Sequence, residues 1–127
     1  MALTGEDMHI QNAKNIQGFH SSTGEIISEM IGAAAGGTQT YSLAQIVLPP
    51  GNKSGKHYHP VAEESYYILS GTGQMVMDDK TVTLNPGDSI AILPNNVHQI
   101  SNQGSENLVF LAICVPAWTP DISVFVD

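Results

Sequence analysis

Apolar residues in this chain fall in short runs separated by glycine, proline, asparagine and aspartate. That punctuation belongs to strands and turns rather than to long helices. Residues 41–48 read as a strand closed by Pro49-Pro50-Gly51. Residues 64–70, 74–77 and 81–84 follow as strands, separated by the Gly71-Thr72-Gly73 and Asp78-Asp79-Lys80 turns. After Asn85-Pro86-Gly87 come 89–93 and 99–101, then a polar loop over 102–107, then the apolar run 108–115. The succession predicts an all-β chain, a small antiparallel barrel or sandwich. The first forty residues are less regular. Residues 25–31 read as an edge strand or as a helical turn or two, and the Gly- and Ala-rich stretch 32–37 as a loop. No internal repeat is present.

Side chains two apart on a strand project from the same face. His57 and His59, flanking Tyr58, therefore form a pincer. Glu64 and His98 each open a strand and could converge on that pincer. Three imidazoles and a carboxylate suit one divalent transition metal: Fe, Mn, Ni, Cu or Zn. The same alternation places Tyr66 and Ile68 with Glu64, Ile100 and Asn102 with His98, and Tyr41, Leu43, Gln45 and Val47 together. Gln45 and Tyr66 are the candidates for orienting a ligand, since each carries a polar tip among apolar neighbours.

The spacing of these residues resembles the two motifs of the cupin superfamily. The first runs from Gly51 through five residues to His57-Tyr58-His59, four more to Glu64, and six more to Gly71. Glu63 fits a shorter variant of the motif, but only Glu64 leaves six residues before Gly71. The second motif runs from Gly87 to His98 and, after three residues, Asn102. There Leu93 stands in place of the usual proline and Asn95 in place of a glycine. Asn accepts positive φ better than other non-glycine residues, so the turn before His98 is expected to survive. The resemblance implies a double-stranded β-helix of jelly-roll type, with His57, His59, Glu64 and His98 as the ligands of one metal ion. It divides the chain into an N-terminal arm with an edge strand (1–40), a core barrel (41–115) and a tail packing on it (116–127), all one domain. By the same resemblance Trp118, between Pro116 and Pro120, walls the pocket; the alternative is that it packs the tail on the barrel's exterior or on a second subunit.

Composition bounds the partners. With 127 residues the chain has room for a single core. Twelve acids stand against four basic residues, all lysine, for a net charge of -8. Polyanions need dense Lys and Arg, so nucleic acid and anionic membranes are not expected partners. The absence of arginine argues against a phosphorylated sugar, whose phosphate is usually read by guanidinium. Lys53 and Lys56 are the only cations near the motif. Cys114, the single cysteine, lies in the apolar run 108–115 and reads as a buried inert thiol. That usage, and the lack of a basic and apolar leader in residues 1–7, lead to the expectation of a soluble cytoplasmic protein. The resemblance implies a metal-dependent enzyme, of oxidoreductase or dioxygenase-like, isomerase or lyase type, acting on a small molecule. The alternative is a non-catalytic binding module. A homodimer is expected, covering the strand at 25–31 and the tail at 122–126.

Overall fold

The computed structural model describes residues 8–127; the expectation about residues 1–7 lies outside the described residues. Among the described residues eleven strands follow in chain order: β1 Phe19–His20, β2 Ile26–Ile31, β3 Ser42–Leu48, β4 His57–Tyr58, β5 Glu63–Ser70, β6 Gly73–Met77, β7 Lys80–Leu84, β8 Ser89–Ile92, β9 His98–Ser101, β10 Leu108–Val115 and β11 Val124–Phe125. Two sheets result, ordered β1-β2-β3-β10-β5-β8 and β11-β4-β9-β6-β7. All the pairings are antiparallel.

Between the sheets lies one apolar core. The six-stranded sheet contributes Ile46, Leu48, Tyr66, Ile68, Ile92, Leu108, Phe110 and Ala112, and the five-stranded sheet contributes Met75, Leu84 and Ile100. The central strand β10 is apolar on both faces, and its register decides which residues point inward. Phe110 lies opposite Ile46 on β3 and Ile68 on β5, and Ala112 lies opposite Ala44 and Tyr66, so each row presents one face to the core. The closing glycine of the first motif, Gly71, turns the chain from β5 into β6 at φ 78°. A side chain there would run into the backbone of Asn107 and Leu108, so this turn admits glycine alone.

Three expectations are corrected. On β3 the core face carries Ser42, Ala44, Ile46 and Leu48, whereas Leu43, Gln45 and Val47 take the other face. Residues 26–31 are strand rather than helix, and an edge only in part: β1 covers Ile26 and Ile27, whereas 28–31 pair with β3 alone among the described residues. The tail is likewise paired within its own chain, Val124 with Tyr58 and Phe125 with His57.

Asn102, the last residue of the second motif, is a staple. Its buried amide donates to the carbonyls of Leu48 (2.8 Å) and Glu106 (2.7 Å), and its oxygen accepts from the Gly104 N–H (2.9 Å). These bonds tie the 102–107 loop to the end of β3.

Candidate metal centre

The five-stranded sheet aligns a row of inward side chains. His57 on β4 lies opposite His98 on β9, which lies opposite Met77 on β6, and Phe125 on β11 completes the row beyond His57. His59 follows one residue after β4. Glu64 comes from β5 in the other sheet, where burial alternates so that Glu63 faces solvent and Glu64 the interior. The four residues thus meet between the sheets. One donor atom from each lies within 4.8 Å of all the others.

Loops fix where the imidazoles point. Each of the three has its Nδ1 beside a backbone carbonyl: His57 at Gly55 (2.8 Å), His98 at Asn96 (2.9 Å) and His59, more loosely, at Ile122 (3.3 Å). An Nδ1–H donated to a carbonyl leaves the Nε2 lone pair to face the centre, the arrangement that prepares a histidine to ligate. The loop before His98 is held in turn by Asp78, whose carboxylate accepts from the Val97 N–H and the Asn96 side-chain amide. Asn95 adopts φ 70°, as the substitution of Asn for Gly requires, and its N–H donates to the His59 carbonyl at 2.8 Å. That bond joins the two motifs directly.

Burial and charge act in opposition at the centre. Glu64 is 9 % exposed. Burial alone would raise its pKa, but the hydrogen bond from His59 and the attraction of His59 and His98 lower it to about 2. His59 is also buried, which by itself disfavours the imidazolium. Its 3.2 Å contact with Glu64, together with the Ile122 carbonyl, nevertheless raises its pKa above the usual imidazole value. The contact thus favours an imidazolium–carboxylate pair between His59 and Glu64 over the separated neutral groups. His57 is lowered to about 4, chiefly by burial and then by repulsion from His98.

His98 Nε2 tests whether the set fits a metal. This nitrogen is fully buried and has no hydrogen-bond partner among the described residues; Glu64 Oε1 is 3.8 Å away, beyond bonding range. A buried polar atom without a partner is costly, and a cation at the centre would satisfy it. Donors on one ion at roughly 2.1 Å bonds lie at most about 4.2 Å apart, so the set closes around an ion with adjustments of about half an ångström. Three neutral imidazoles and one carboxylate suit a divalent transition metal.

The remaining candidates divide. Tyr66 lies inside, its ring centroid 6.2 Å from that of His98 and 4.7 Å from that of Phe110. Burial and the neighbouring Glu64 carboxylate hold its hydroxyl well above the ordinary phenol range, so it remains a donor. Gln45 does not reach the centre, because it shares the outer face of its sheet with Leu111, its partner on β10. Trp118 stands one bond removed from the cluster, since the Ser123 Oγ it meets lies 3.4 Å from His59 Nδ1. It is partly exposed, with its indole donating to Ser123 Oγ at 3.0 Å and its backbone N–H to Ser42 Oγ at 2.9 Å. The tail residues at the centre are Ile122, through its carbonyl, and Phe125, whose ring lies 5.3 Å from that of His57. The partial alternation of 122–126 marks a face to be covered, but the sequence reading gave that face to a second copy rather than to the centre. Cys114 is buried opposite Glu64, and burial followed by that carboxylate pushes its thiol up to about 12, which keeps it inert. Lys53 and Lys56 line an open surface hollow of about 520 Å³ with Thr23, Gly55 and Phe125. None of the four cluster residues borders it.

Comparison with known proteins agrees with this geometry. Residues 44–114 match the cupin domain family. An uncharacterized protein of Methanocaldococcus jannaschii is 34% identical over 82% of this chain and 83% of its own length. An oxalate-binding protein of Thermotoga maritima is 30% identical over 80% of this chain and 85% of its own. Among solved structures, a predicted oxalate decarboxylase of Thermotoga maritima superposes with TM-score 0.76 at 26% identity, covering 84% of this chain and 98% of that one. Fold, motif spacing and family match coincide over the strands that carry the four ligands, and the chain belongs to the cupin family.

Proposed function

We propose that the chain is a metal-dependent cupin enzyme that holds one divalent transition ion, Fe, Mn, Ni, Cu or Zn, on His57, His59, Glu64 and His98. The observation that carries this reading is the buried, partnerless Nε2 of His98 facing three other donors. Such an ion supplies Lewis acidity or redox chemistry, and an octahedral one keeps two positions for a substrate. Around it, Tyr66 offers a hydroxyl donor beside His98, and Phe125 flanks His57. The substrate is a small organic acid. Support comes from the oxalate-binding relative and from the two lysines beside the Phe125 rim, which draw anions toward an otherwise acidic protein.

The oxalate-binding relative also favours a second reading, in which the site binds a small acid without turnover. Elemental analysis of the purified chain should give close to one metal equivalent, with His98→Ala and Glu64→Gln each depleting it and the solvent-facing Glu63→Gln leaving it unchanged. Full occupancy in a His57→Ala/His98→Ala double variant overturns the metal assignment. Oxygen-uptake and product analysis of the loaded protein over small carboxylic acids then decides between turnover and binding alone.

A further inference from the structure

The three imidazoles of the cluster are not supported alike. His57 and His98 each find the acceptor for Nδ1 two residues back along the chain, at the Gly55 carbonyl (2.8 Å) and the Asn96 carbonyl (2.9 Å). Each carries its own support wherever its loop and strand are formed. Among the described residues His59 has no such local partner. Its Nδ1 meets two oxygens of the tail, the Ile122 carbonyl at 3.3 Å and Ser123 Oγ at 3.4 Å, which lie 63 and 64 residues further along the chain. The orientation of this one ring depends on a distant segment.

The chemistry of the partners fixes which way these bonds run. A carbonyl only accepts, so the contact with Ile122 requires a hydrogen on Nδ1. That N–H lies between two oxygens and is shared by them, which makes Ser123 Oγ an acceptor. The indole of Trp118 is a donor only, and it reaches the same oxygen at 3.0 Å. Two N–H groups thus converge on the two lone pairs of one hydroxyl. With Nδ1 committed outward, Nε2 points into the cluster, 3.2 Å from Glu64 Oε1.

The tail is anchored on both sides of this crossing. Before it, the Trp118 N–H donates to Ser42 Oγ on β3 (2.9 Å) and the buried Ala117 donates to the Gln39 carbonyl (3.3 Å). After it, β11 pairs with β4, and the Val126 N–H donates to the Lys56 carbonyl at 2.9 Å. Residues 119–123 therefore span from the six-stranded sheet to the five-stranded one, with a single helical turn at Pro120–Ile122, and Ser123 stands where the span meets the cluster. We propose that Ser123 is a positioning residue of the metal centre: it holds the His59 ring through Nδ1, and Trp118 holds Ser123, so that the tail completes the site. The assignment rests on the metal reading given above. Without the hydroxyl, His59 keeps only the long bond to Ile122, and its ring is free to turn away from the direction it shares with His57, Glu64 and His98.

Cobalt(II) is a suitable probe, because its visible absorption responds to the arrangement of its ligands. The full chain is titrated with cobalt(II) against a competing chelator at pH 7.5, and the spectrum of the loaded protein is recorded. Ser123→Ala should bind the ion about tenfold more weakly, at the lower end of the range for groups that orient a ligating histidine, and its absorption bands should shift. Ser123→Thr keeps the oxygen and should restore both affinity and spectrum. Trp118→Phe keeps a ring but loses the indole N–H, and should fall between Ser123→Ala and the wild type; wild-type behaviour in this variant overturns the part given to the indole. A serine that only seats the tail predicts the wild-type spectrum in loaded Ser123→Ala, and that result overturns the proposal. A threonine variant as weak as the alanine one overturns it as well. A wild type that takes up no cobalt(II) removes the metal reading and this one together, whereas a loaded wild type matched in affinity and spectrum by Ser123→Ala removes this one alone.

Discussion

Replacing His57 with asparagine should make the metal-free protein less sensitive to acid. In the folded chain His57 ionises near pH 4, because burial and the adjacent His98 disfavour its cation, whereas in the unfolded chain it ionises near the ordinary value of 6.5. Its folded pKa is depressed, so it has no effect on stability well above pH 6.5. As pH falls from there toward 4 the unfolded chain takes up the proton first, and the folded state loses ground. At about 1.4 kcal/mol per pH unit this gap amounts to about 3 kcal/mol, trimmed to about 2 because solvent reaches part of the ring. The neighbouring groups have different windows. His59, raised, contributes stability that is present below 6.5 and lost at higher pH; Glu64, lowered to about 2, contributes stability present above 4.5 and lost only as pH falls through 2. Both persist near pH 4 in wild type and variant alike, so they largely cancel in the difference. Urea unfolding of the two chelator-treated proteins at pH 7.5 and pH 4 measures that difference. The variant should gain about 2–3 kcal/mol on the wild type between the two conditions. A difference that stays constant with pH would show that His57 is not held neutral by its surroundings, and the reasoning would fail.

Asn102→Ala should cost about 3 kcal/mol in chemical denaturation, since it strands the buried Leu48 carbonyl and frees the 102–107 loop. Asn102→Asp should cost at least as much, by turning two donated bonds toward carbonyls into repulsions; a loss below about 1 kcal/mol in both would rule out the staple. The chain should also dimerise through the outer face of the six-stranded sheet, where Tyr67, Leu69, Ile113 and Val115 leave large apolar surface exposed. Light scattering should give twice the 13.5 kDa chain mass. Ile113→Lys with Tyr67→Lys should halve it, and a wild-type mass of 13.5 kDa at micromolar concentration would reject the interface.

The strands that carry the ligands were legible because each begins at or next to its ligand and is bounded by turn residues. Glu64 is the second residue of β5 and His98 the first of β9, and β5 alternates buried and exposed along most of its length. Gln45 was misplaced because β3 is apolar on both faces: Leu43 and Val47 outside read the same as Ile46 and Leu48 inside, and only pairing with β10 chooses between them. The β1–β2 hairpin was hard to read for a related reason. The polar turn at residues 21–24 before Ile26-Ile27 was a usable hairpin signal, but the two-residue β1 gave no periodicity to confirm it. Phe125 and Ile122 reach the centre only through a chain crossing that local pattern does not encode.

The division of labour within the two motifs separates kinship from chemistry. Gly71 is required by a backbone that leaves no space for a side chain, and Asn102 by the carbonyls it ties together; neither donates an atom to the centre. A descendant of this chain could therefore exchange all three histidines and still keep the residues that make the barrel close. It would be recognised as kin by its turns and its staple while holding no ion. In this architecture the marks of ancestry and the capacity for metal chemistry are inherited on different residues and can be lost independently.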